Sequence, residues 1–257
     1  MSFGPQAWIQ RHWDARAALN FMLGGAGAGL MVAAALAYPD SRAPVMLSLV
    51  LVAAGLGAVW LETGKKLRAI NVLFNPFTSW MTRESFVALL LFALGAAALW
   101  RAQLLPAAAA AALAFVYCQG RILRASKGIP AWRAPQVTLL IVSTALAEGA
   151  GLALFFTTAP LAVGWFGLAL VLRAIAWTRY REATRNPALE APGKALVQLG
   201  TLAALVLALA GAWVPASAQL AGFLALATGL WLKLALVTRA SLNQGFNLPR
   251  LPVRGAR

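Results

Sequence analysis

The sequence predicts an all-α integral membrane protein with eight transmembrane helices. Hydrophobic residues make up 61% of the 257-residue chain and charged residues only 11%, which is unusual for a soluble domain. The apolar residues form eight continuous stretches, each close to the 17–25 residues that a membrane-spanning helix needs. These stretches lack the alternating pattern of outer-membrane strands, so a β-barrel is not expected.

The whole chain, residues 1–257, is predicted to form a single transmembrane domain. The predicted helices cover residues 16–37, 44–63, 85–103, 105–124, 136–156, 161–179, 194–212 and 216–236. The segment before the first helix is polar and aromatic, so we expect no cleavable signal peptide and a retained first span. Short connections with turn residues follow the odd-numbered helices and predict tight hairpins. The connections after the even-numbered helices are longer.

The basic residues are distributed very unevenly between the two sides of this predicted bundle. Of the 22 Lys and Arg residues, only Arg42 and Arg101 fall on the side of the odd-numbered connections. Lys and Arg collect in cytoplasmic loops, so both termini are expected on the cytoplasmic side of a bacterial or archaeal inner membrane. This rule also accounts for the formal net charge of +15, and no nucleic-acid partner is expected.

The chain offers few ligands for a redox centre. Its single histidine, His12, precedes the first helix, and its single cysteine, Cys118, lies inside the fourth. A bis-histidine haem needs two histidines at membrane depth, and an iron–sulfur cluster needs several thiolates. We therefore expect no haem, no iron–sulfur cluster and no other metal site in this chain.

Glycines are concentrated where helices are expected to touch. The first helix contains Gly25 and Gly29, spaced four residues apart, and the second contains Gly55 and Gly57. Small residues allow transmembrane backbones to approach closely. A nucleotide-binding loop is not expected, because no strand precedes the glycines and they lie within a span.

Residues 61–85 form the most informative connection, with the sequence LETGKKLRAINVLFNPFTSWMTRES. Its Asn-Pro step argues against a continuous helix, and Ser79 or Thr82 is expected to cap the third helix. One interpretation is an ordinary basic loop with an interfacial tryptophan. The other is a polar pocket at the membrane surface for an amphipathic ligand with an apolar tail, such as a quinone.

The candidate quinone-binding residues lie near the cytoplasmic interface and carry hydrogen-bond donors or carboxylates. They are Asn20, Glu62, Lys66, Arg68, Asn71, Trp80, Arg83 and Glu84. Arg68, Asn71 or Trp80 would donate to a quinone carbonyl, and Arg83 and Glu84 would fix the start of the third helix. Glu62 would exchange the proton that accompanies each electron, with Glu84 or His12 as the next candidates.

The connection between the fourth and fifth predicted helices also predicts a function. Residues 121–135, RILRASKGIPAWRAP, contain an interfacial tryptophan anchor or a docking surface for a cytoplasmic protein, because aromatic residues and Arg are enriched at interface hot spots. The candidate docking residues are Arg124, Lys127, Trp132 and Arg133.

Glu148 lies deep in the fifth helix, where a carboxylate is costly and indicates a functional site. It is a candidate proton site. The alternative is a protonated side chain that hydrogen-bonds neighbouring backbone. Arg173 and Lys233 are its candidate cationic partners, although both lie closer to the cytoplasmic ends of their helices.

The chain resembles the membrane-anchor subunits of the dimethyl-sulfoxide-reductase type (DmsC-like), within the polysulfide-reductase (NrfD-like) group. Glu62, Gly64 and Arg68 match an [HE]xGxxxR pattern, and residues 75–84 (NPFTSWMTRE) and 129–135 (IPAWRAP) carry the rest of the likeness. It extends over most of the chain, and SWMTRE is its most specific part. The opening segment is most similar to versions associated with phenylacetyl-CoA:acceptor oxidoreductases.

This resemblance implies a non-catalytic membrane subunit of a quinone-linked oxidoreductase, with no catalytic residue of its own. Such a subunit anchors a molybdenum or tungsten bis-pterin catalytic subunit and a ferredoxin-like iron–sulfur subunit. It passes electrons between the nearest cluster and ubiquinone or menaquinone. Many relatives have His where this chain has Glu62, so proton handling would pass to a carboxylate. The alternative function is a small-molecule membrane transporter, although the paired broken helices of many transporters are not evident.

Overall fold

The computed structural model describes residues 7–37, 42–62 and 66–244, without the side chains of residues 66–69. About 82% of these residues are helical, which confirms the all-α class. Eight helices are long and apolar enough to cross a membrane, and they favour a multi-pass membrane protein. They are α1 (Ala15–Ala37), α2 (Arg42–Glu62), α3 (Trp80–Ala98), α4 (Ala102–Ala125), α5 (Gln136–Ala153), α6 (Pro160–Thr184), α7 (Pro187–Ala210) and α8 (Pro215–Thr238).

Several helix ends differ from the sequence prediction for identifiable reasons. Helix α3 begins at Trp80 rather than at residue 85, because the Ser79 side chain accepts a hydrogen bond from the Thr82 N–H and caps it. Helix α6 continues five residues past the predicted end, to Thr184, where Arg185 takes a left-handed conformation with φ of 43°. Helix α7 then begins at Pro187, seven residues earlier than predicted, since proline is well suited to a first helical turn.

The end of the bundle where α1, α3, α5 and α7 begin is called the inner end here. Strand β1 (Trp8–Ile9), before α1, pairs antiparallel with β2 (Leu242–Asn243), after α8. A 3-10 helix, Lys66–Phe74, connects α2 to α3, and a short helix, Pro130–Arg133, connects α4 to α5. The segments that precede α1 and follow α8 therefore meet at one end of the molecule.

Helices α1 and α5 form the centre of the bundle and pack against each other. Helix α1 also contacts α2 and α4, and α3 packs on α4; in the same way α5 contacts α6 and α8, and α7 packs on α8. The neighbour pattern of the first four helices thus recurs in the last four. The α1–α5 crossing depends on Gly29 and Gly149, where an added Cβ on either residue would overlap the backbone of the other helix.

The outward surfaces of the helices are apolar, as contact with lipid requires. Leu90 of α3, Leu168 of α6 and Val206 of α7 are all more than half exposed. Trp100 and Trp213 lie exposed just beyond the ends of α3 and α7 that are opposite the inner end, where interfacial tryptophans are common. A surface of this kind would favour aggregation in water, so it supports burial of these faces in a bilayer.

Candidate functional site

A cavity of about 240 Å³ lies at the inner end, between the segment that precedes α1 and helices α1 to α4. Its walls combine apolar side chains with two carboxyl groups, one imidazole and one amide. The lining residues are His12, Trp13, Ala17, Asn20, Phe21, Val59, Glu62, Met81, Glu84 and Ile122. Three of the sequence-predicted quinone-binding residues, Asn20, Glu62 and Glu84, are therefore brought together, and His12 joins them.

The start of α1 is fixed by its own cap. The Asp14 carboxylate accepts hydrogen bonds from the Arg16 backbone N–H (2.7 Å) and from the Arg16 guanidinium (3.0 Å). These bonds hold the pKa of Asp14 below its usual value. Arg16 also donates to the Leu61 carbonyl at 3.4 Å. This contact ties the first turn of α1 to the last turn of α2, so that Asn20 and Glu62 line the same cavity.

The floor of the cavity is a buried polar cluster centred on Glu84. Asn20 Nδ2 donates to Glu84 Oε1 at 3.0 Å, and Gln119 Nε2 donates to the Asn20 carbonyl at 2.8 Å. Asn20 begins a π-helical turn, Asn20–Gly24, inside α1, and such turns are frequent at functional sites. The second amide, Gln119, was not predicted from the sequence. Its signal was a single glutamine within an apolar span, which is costly there unless it is hydrogen-bonded.

The rim of the cavity carries the second carboxyl group. Glu62, the last residue of α2, is partly exposed, whereas Glu84 is only 5% exposed. His12 and Trp13 close the cavity from the side of the chain that precedes α1, and Trp13 is stacked on Trp132 with ring centroids 5.0 Å apart. The two carboxyl groups therefore occupy different environments in one cavity, one near solvent and one in the protein interior.

The remaining predicted quinone-binding residues lie elsewhere. Arg83 is directed to the preceding loop, where it donates to the carbonyls of Pro76 (2.8 Å) and Phe77 (2.6 Å). Trp80 contacts the Arg83 and Arg121 guanidinium groups, which lie 4.2 Å and 4.3 Å from its ring centroid.

Asn71 is exposed and does not line the cavity. Lys66 and Arg68 belong to the 3-10 helix, but their side chains lie outside the described part of the structure. Glu62 at the end of α2 and Met81 and Glu84 at the start of α3 therefore line the cavity. The described side chains of the connection between the two helices do not.

The predicted docking residues divide into two kinds. Arg124, Lys127 and Arg133 are exposed at the inner end. Trp132 is 3% exposed, and its indole N–H donates to the Leu236 carbonyl at 2.8 Å. The prediction that Trp132 belongs to the docking surface does not fit its position, because the ring is stacked on Trp13 and its N–H is bonded to α8. Arg133 donates to Gln244 Oε1 at 2.9 Å and so connects this loop to the chain after β2.

Glu148 is completely buried and forms an ion pair with Lys233, whose Nζ lies 2.5 Å from Glu148 Oε2. Of the two candidate cationic partners, Lys233 is therefore the one that pairs with Glu148. The lysine reaches Glu148 because its long side chain spans the offset between the two helix positions. Arg173 is also fully buried and donates to the carbonyls of Ala225 (2.8 Å) and Gly200.

Within the described ranges, no cluster of three or more His, Cys, Asp or Glu side chains is arranged to hold a metal ion. Comparison of the chain with protein-family models and with curated proteins finds no match.

Proposed function

We propose that this chain is the quinone-binding membrane anchor of a molybdenum or tungsten bis-pterin oxidoreductase complex. In this role it passes electrons between a ferredoxin-like iron–sulfur subunit and the membrane quinone pool. The observation that carries the proposal is the cavity at the inner end, which combines an apolar wall with Asn20, Glu62 and Glu84. The family resemblance of residues 75–84 and 129–135 supplies the identity of the partners.

The shape of the cavity suits the head group of a quinone. Pockets for drug-sized ligands occupy ~300–1,000 Å³, so a cavity of about 240 Å³ would hold a single ring and leave a long tail outside. Helices α2 and α3 both line the cavity but scarcely touch each other. Leu61 and Met81, at their inner ends, are exposed. This gap gives an apolar tail a lateral path into the lipid.

The residues of the cavity can bind the carbonyl groups and manage protons. A bound quinone would supply two-electron, two-proton chemistry. Asn20 orients the Glu84 carboxyl group through its Nδ2 hydrogen bond, and Trp13 and Phe21 exclude water from the wall. Glu62, on the partly exposed rim, exchanges protons with the aqueous side, while Glu84 takes up or releases a proton in the interior. Glu84 lines the cavity and Trp80 does not. Glu84 therefore replaces Trp80 as the candidate contact for a quinone carbonyl.

The proposal includes a defined arrangement in the membrane. All eight helices span the inner membrane, with both termini and the inner end in the cytoplasm, as the distribution of Lys and Arg favours. Arg124, Lys127 and Arg133 form an exposed basic surface on that side, and the iron–sulfur subunit binds there. A cluster in that subunit would then lie on the same side of the membrane as the cavity.

A transporter remains the second candidate, because the buried Lys233–Glu148 pair is the kind of intramembrane charge that lines transport pathways. On the side of this pair away from the cavity, however, the core is apolar and includes Leu30, Leu154 and Phe166. A transporter needs a polar path that opens to that side in turn. Flux of small solutes into vesicles containing the chain would favour this alternative.

Quinone binding can be tested with the chain in lipid nanodiscs and a photoreactive quinone. We expect labelling of peptides from the cavity, competition by unlabelled quinone, and loss of labelling in Ala17→Trp, which fills the cavity. Ala107→Trp is the matched control, because Ala107 is exposed on the outward face of α4. Equal labelling of both variants would contradict a quinone site in this cavity.

The role in the assembled complex needs a separate measurement. Glu62→Gln keeps the shape of the side chain and removes its titration, so it should reduce quinone-linked turnover at least tenfold and spare turnover with a soluble dye. Glu190→Gln, an exposed position outside the cavity, is the control. Unchanged quinone turnover in a normally assembled Glu62→Gln complex would exclude Glu62 as the proton carrier. Metal analysis of the copurified complex should detect molybdenum or tungsten together with iron.

A further inference from the structure

Four ionisable side chains with alternating charge follow one another from the cavity into the middle of the bundle. Glu84 of α3 is 5% exposed, Lys233 of α8 is 1% exposed, and Glu148 of α5 and Arg173 of α6 are fully buried. Each comes from a different helix. The quinone site described above uses only the first of them, and the other three have no part in it.

The polar side chains of Asn20 and Gln119 lie between Glu84 and Lys233. The Asn20 and Gln119 side chains adjoin Glu84, and both also border Gly24, each placing one polar atom 3.1 Å from the position that a Cβ would take. At Gly25, a Cβ would lie 3.5 Å from Gln119 Oε1 and 2.5 Å from Lys233 Nζ. Gln119 Oε1 and Lys233 Nζ are therefore no farther apart than the sum of these two distances, a gap that a single water molecule can bridge.

The amide oxygens along this line are available for such water. Asn20 Oδ1 and Gln119 Oε1 are buried and have no hydrogen-bond partner among the described residues. Buried polar atoms of this kind are normally satisfied by internal water. A chain of water and amide groups would then extend from Glu84 to the Lys233 ammonium group.

The line ends at the ion pair. Lys233 Nζ donates to Glu148 Oε2 at 2.5 Å, while Arg173 is held by the carbonyls of Ala225 and Gly200 and by Thr201 Oγ1 at 3.5 Å. Beyond Glu148 the core becomes apolar, with Leu30, Leu154 and Phe166 fully or almost fully buried. The polar line is therefore open to the cavity and closed toward the opposite end of the bundle.

The sum of the charges restricts how these groups can titrate. When all four groups are ionised, their charges cancel. A proton added to Glu84 from outside leaves one uncompensated positive charge in a medium of low dielectric constant, which is expensive. A proton moved from Lys233 to Glu84 leaves the sum unchanged, so the two groups are expected to titrate as a coupled pair.

We propose that Lys233 is the internal proton donor and acceptor of the cavity and exchanges one proton with Glu84 through water molecules that hydrogen-bond to Asn20 and Gln119. In the forward step the Lys233 ammonium becomes an amine and the Glu84 carboxylate becomes a carboxylic acid, with no change in electron count. Glu148 and Arg173 stay ionised and balance each other. This inference rests on the proposed function for its purpose, because a quinone in the cavity would consume or release that proton.

Other titratable groups also face the pair and must be followed in any test. Lys233 faces Glu148 from α5 and Arg173 from α6. Glu62 of α2 and His12 line the cavity together with Glu84, and Cys118 of α4 lies near Glu84, Arg83 and Arg121. Arg83 is bound to loop carbonyls and Arg121 to Trp80 and Tyr117.

The test measures protonated carboxyl groups by infrared spectroscopy on the complete chain in lipid nanodiscs without quinone. The carbonyl band of Glu84 is assigned as the one lost in Glu84→Gln. In Lys233→Met the positive charge is gone, so this band should persist to a pH higher by one unit or more. In Glu148→Gln a negative charge is gone, so the band should disappear at a lower pH. Lys194→Met, an exposed position on α7, should leave the titration unchanged.

Opposite displacements in the two variants are required by the proposal. If both variants leave the Glu84 titration within ~0.2 pH units of the unmodified chain, or displace it in the same direction, the coupling does not exist. Because no quinone is present, this result is independent of the photolabelling experiment. Normal quinone labelling with no coupling would contradict only the proposed role of Lys233 as proton donor. Coupling without labelling would contradict only the proposed quinone site.

Discussion

The side chains of Lys233 and Glu148 each depend on the other for compensation of a buried charge. Removal of one partner of a buried ion pair typically costs about 3–5 kcal/mol, whereas replacement of both by uncharged groups is often neutral. We expect Lys233→Met and Glu148→Gln each to lower the unfolding temperature in detergent, and the double variant to recover most of the loss. Arg173 keeps its carbonyl partners in all three variants.

The control for this cycle is the exposed pair of Arg16 and Asp14, whose side chains are 49% and 46% exposed. Exposed pairs contribute only ~0.2–1 kcal/mol, so Asp14→Asn should change the unfolding temperature much less than Glu148→Gln. Additive losses in the Lys233→Met/Glu148→Gln double variant would show that the two side chains do not stabilise each other.

Single residues also show what the sequence can and cannot predict. Glu148 was predicted as a special position because a carboxylate inside a span is costly, and Arg173 and Lys233 were both candidate partners. The choice between them depends on how α5, α6 and α8 pack, which the residue pattern does not contain. Trp132 is a residue whose position was not predicted. The composition of residues 121–135 indicated an exposed surface, whereas the Trp132 indole N–H donates to the Leu236 carbonyl inside the fold.

At the scale of helices, the glycines of α5 determine how closely α1 can approach. A Cβ on Gly149 would overlap the backbone at Gly29 and Leu30, whereas a Cβ on Gly164 of α6 would meet nothing within 4 Å. We expect Gly149→Ala to reduce the folded yield and unfolding temperature strongly. Gly164→Ala should be neutral or stabilising by up to ~1 kcal/mol, because alanine favours a helix. Similar stability of the two variants would contradict the close α1–α5 crossing.

The helix boundaries illustrate a second limit of the sequence. The apolar stretches predicted all eight long helices, but the ends were misplaced where polar residues continue a helix beyond its apolar part. Residues 80–84 of α3 and 180–184 of α6 are mostly polar or aromatic and are still helical. Hydropathy locates the portion that is long and apolar enough for a membrane, whereas caps decide where the hydrogen-bonded helix begins, as at Ser79, or ends, as at Arg185.

At the scale of the whole molecule, the cavity is built where several chain segments meet at the inner end. Asn20, Glu62 and Glu84 were predicted together, because all three lie near predicted helix ends on one side. Gln119 and Trp13 were not predicted, since their contribution arises from the packing of α1 on α4 and of the segment before α1 on Trp132. Trp80 and Arg83 were predicted for the site from their residue types, and their helix face directs them to Arg121 and to the loop instead.

The orientation of the molecule in the membrane is a prediction from its charges, and the pairing of its end segments makes it easy to test. Because β1 and β2 bring the two ends of the described chain together at the inner end, one label near that end reports on both. Single cysteines at Lys127, at the inner end, and at Arg101, at the opposite end, provide the matched pair, and both side chains are exposed. The buried Cys118 is first replaced by serine.

In intact cells an impermeant thiol reagent should label Arg101→Cys, and Lys127→Cys should be labelled only after the membrane is opened. The physical reason is that the predicted topology assigns 20 of the 22 Lys and Arg residues to the side of Lys127, and cytoplasmic loops retain such residues. Labelling of Lys127→Cys in intact cells would place the cavity, the basic surface and any iron–sulfur partner outside the cytoplasm. Proton exchange by Glu62 would then draw on the external medium.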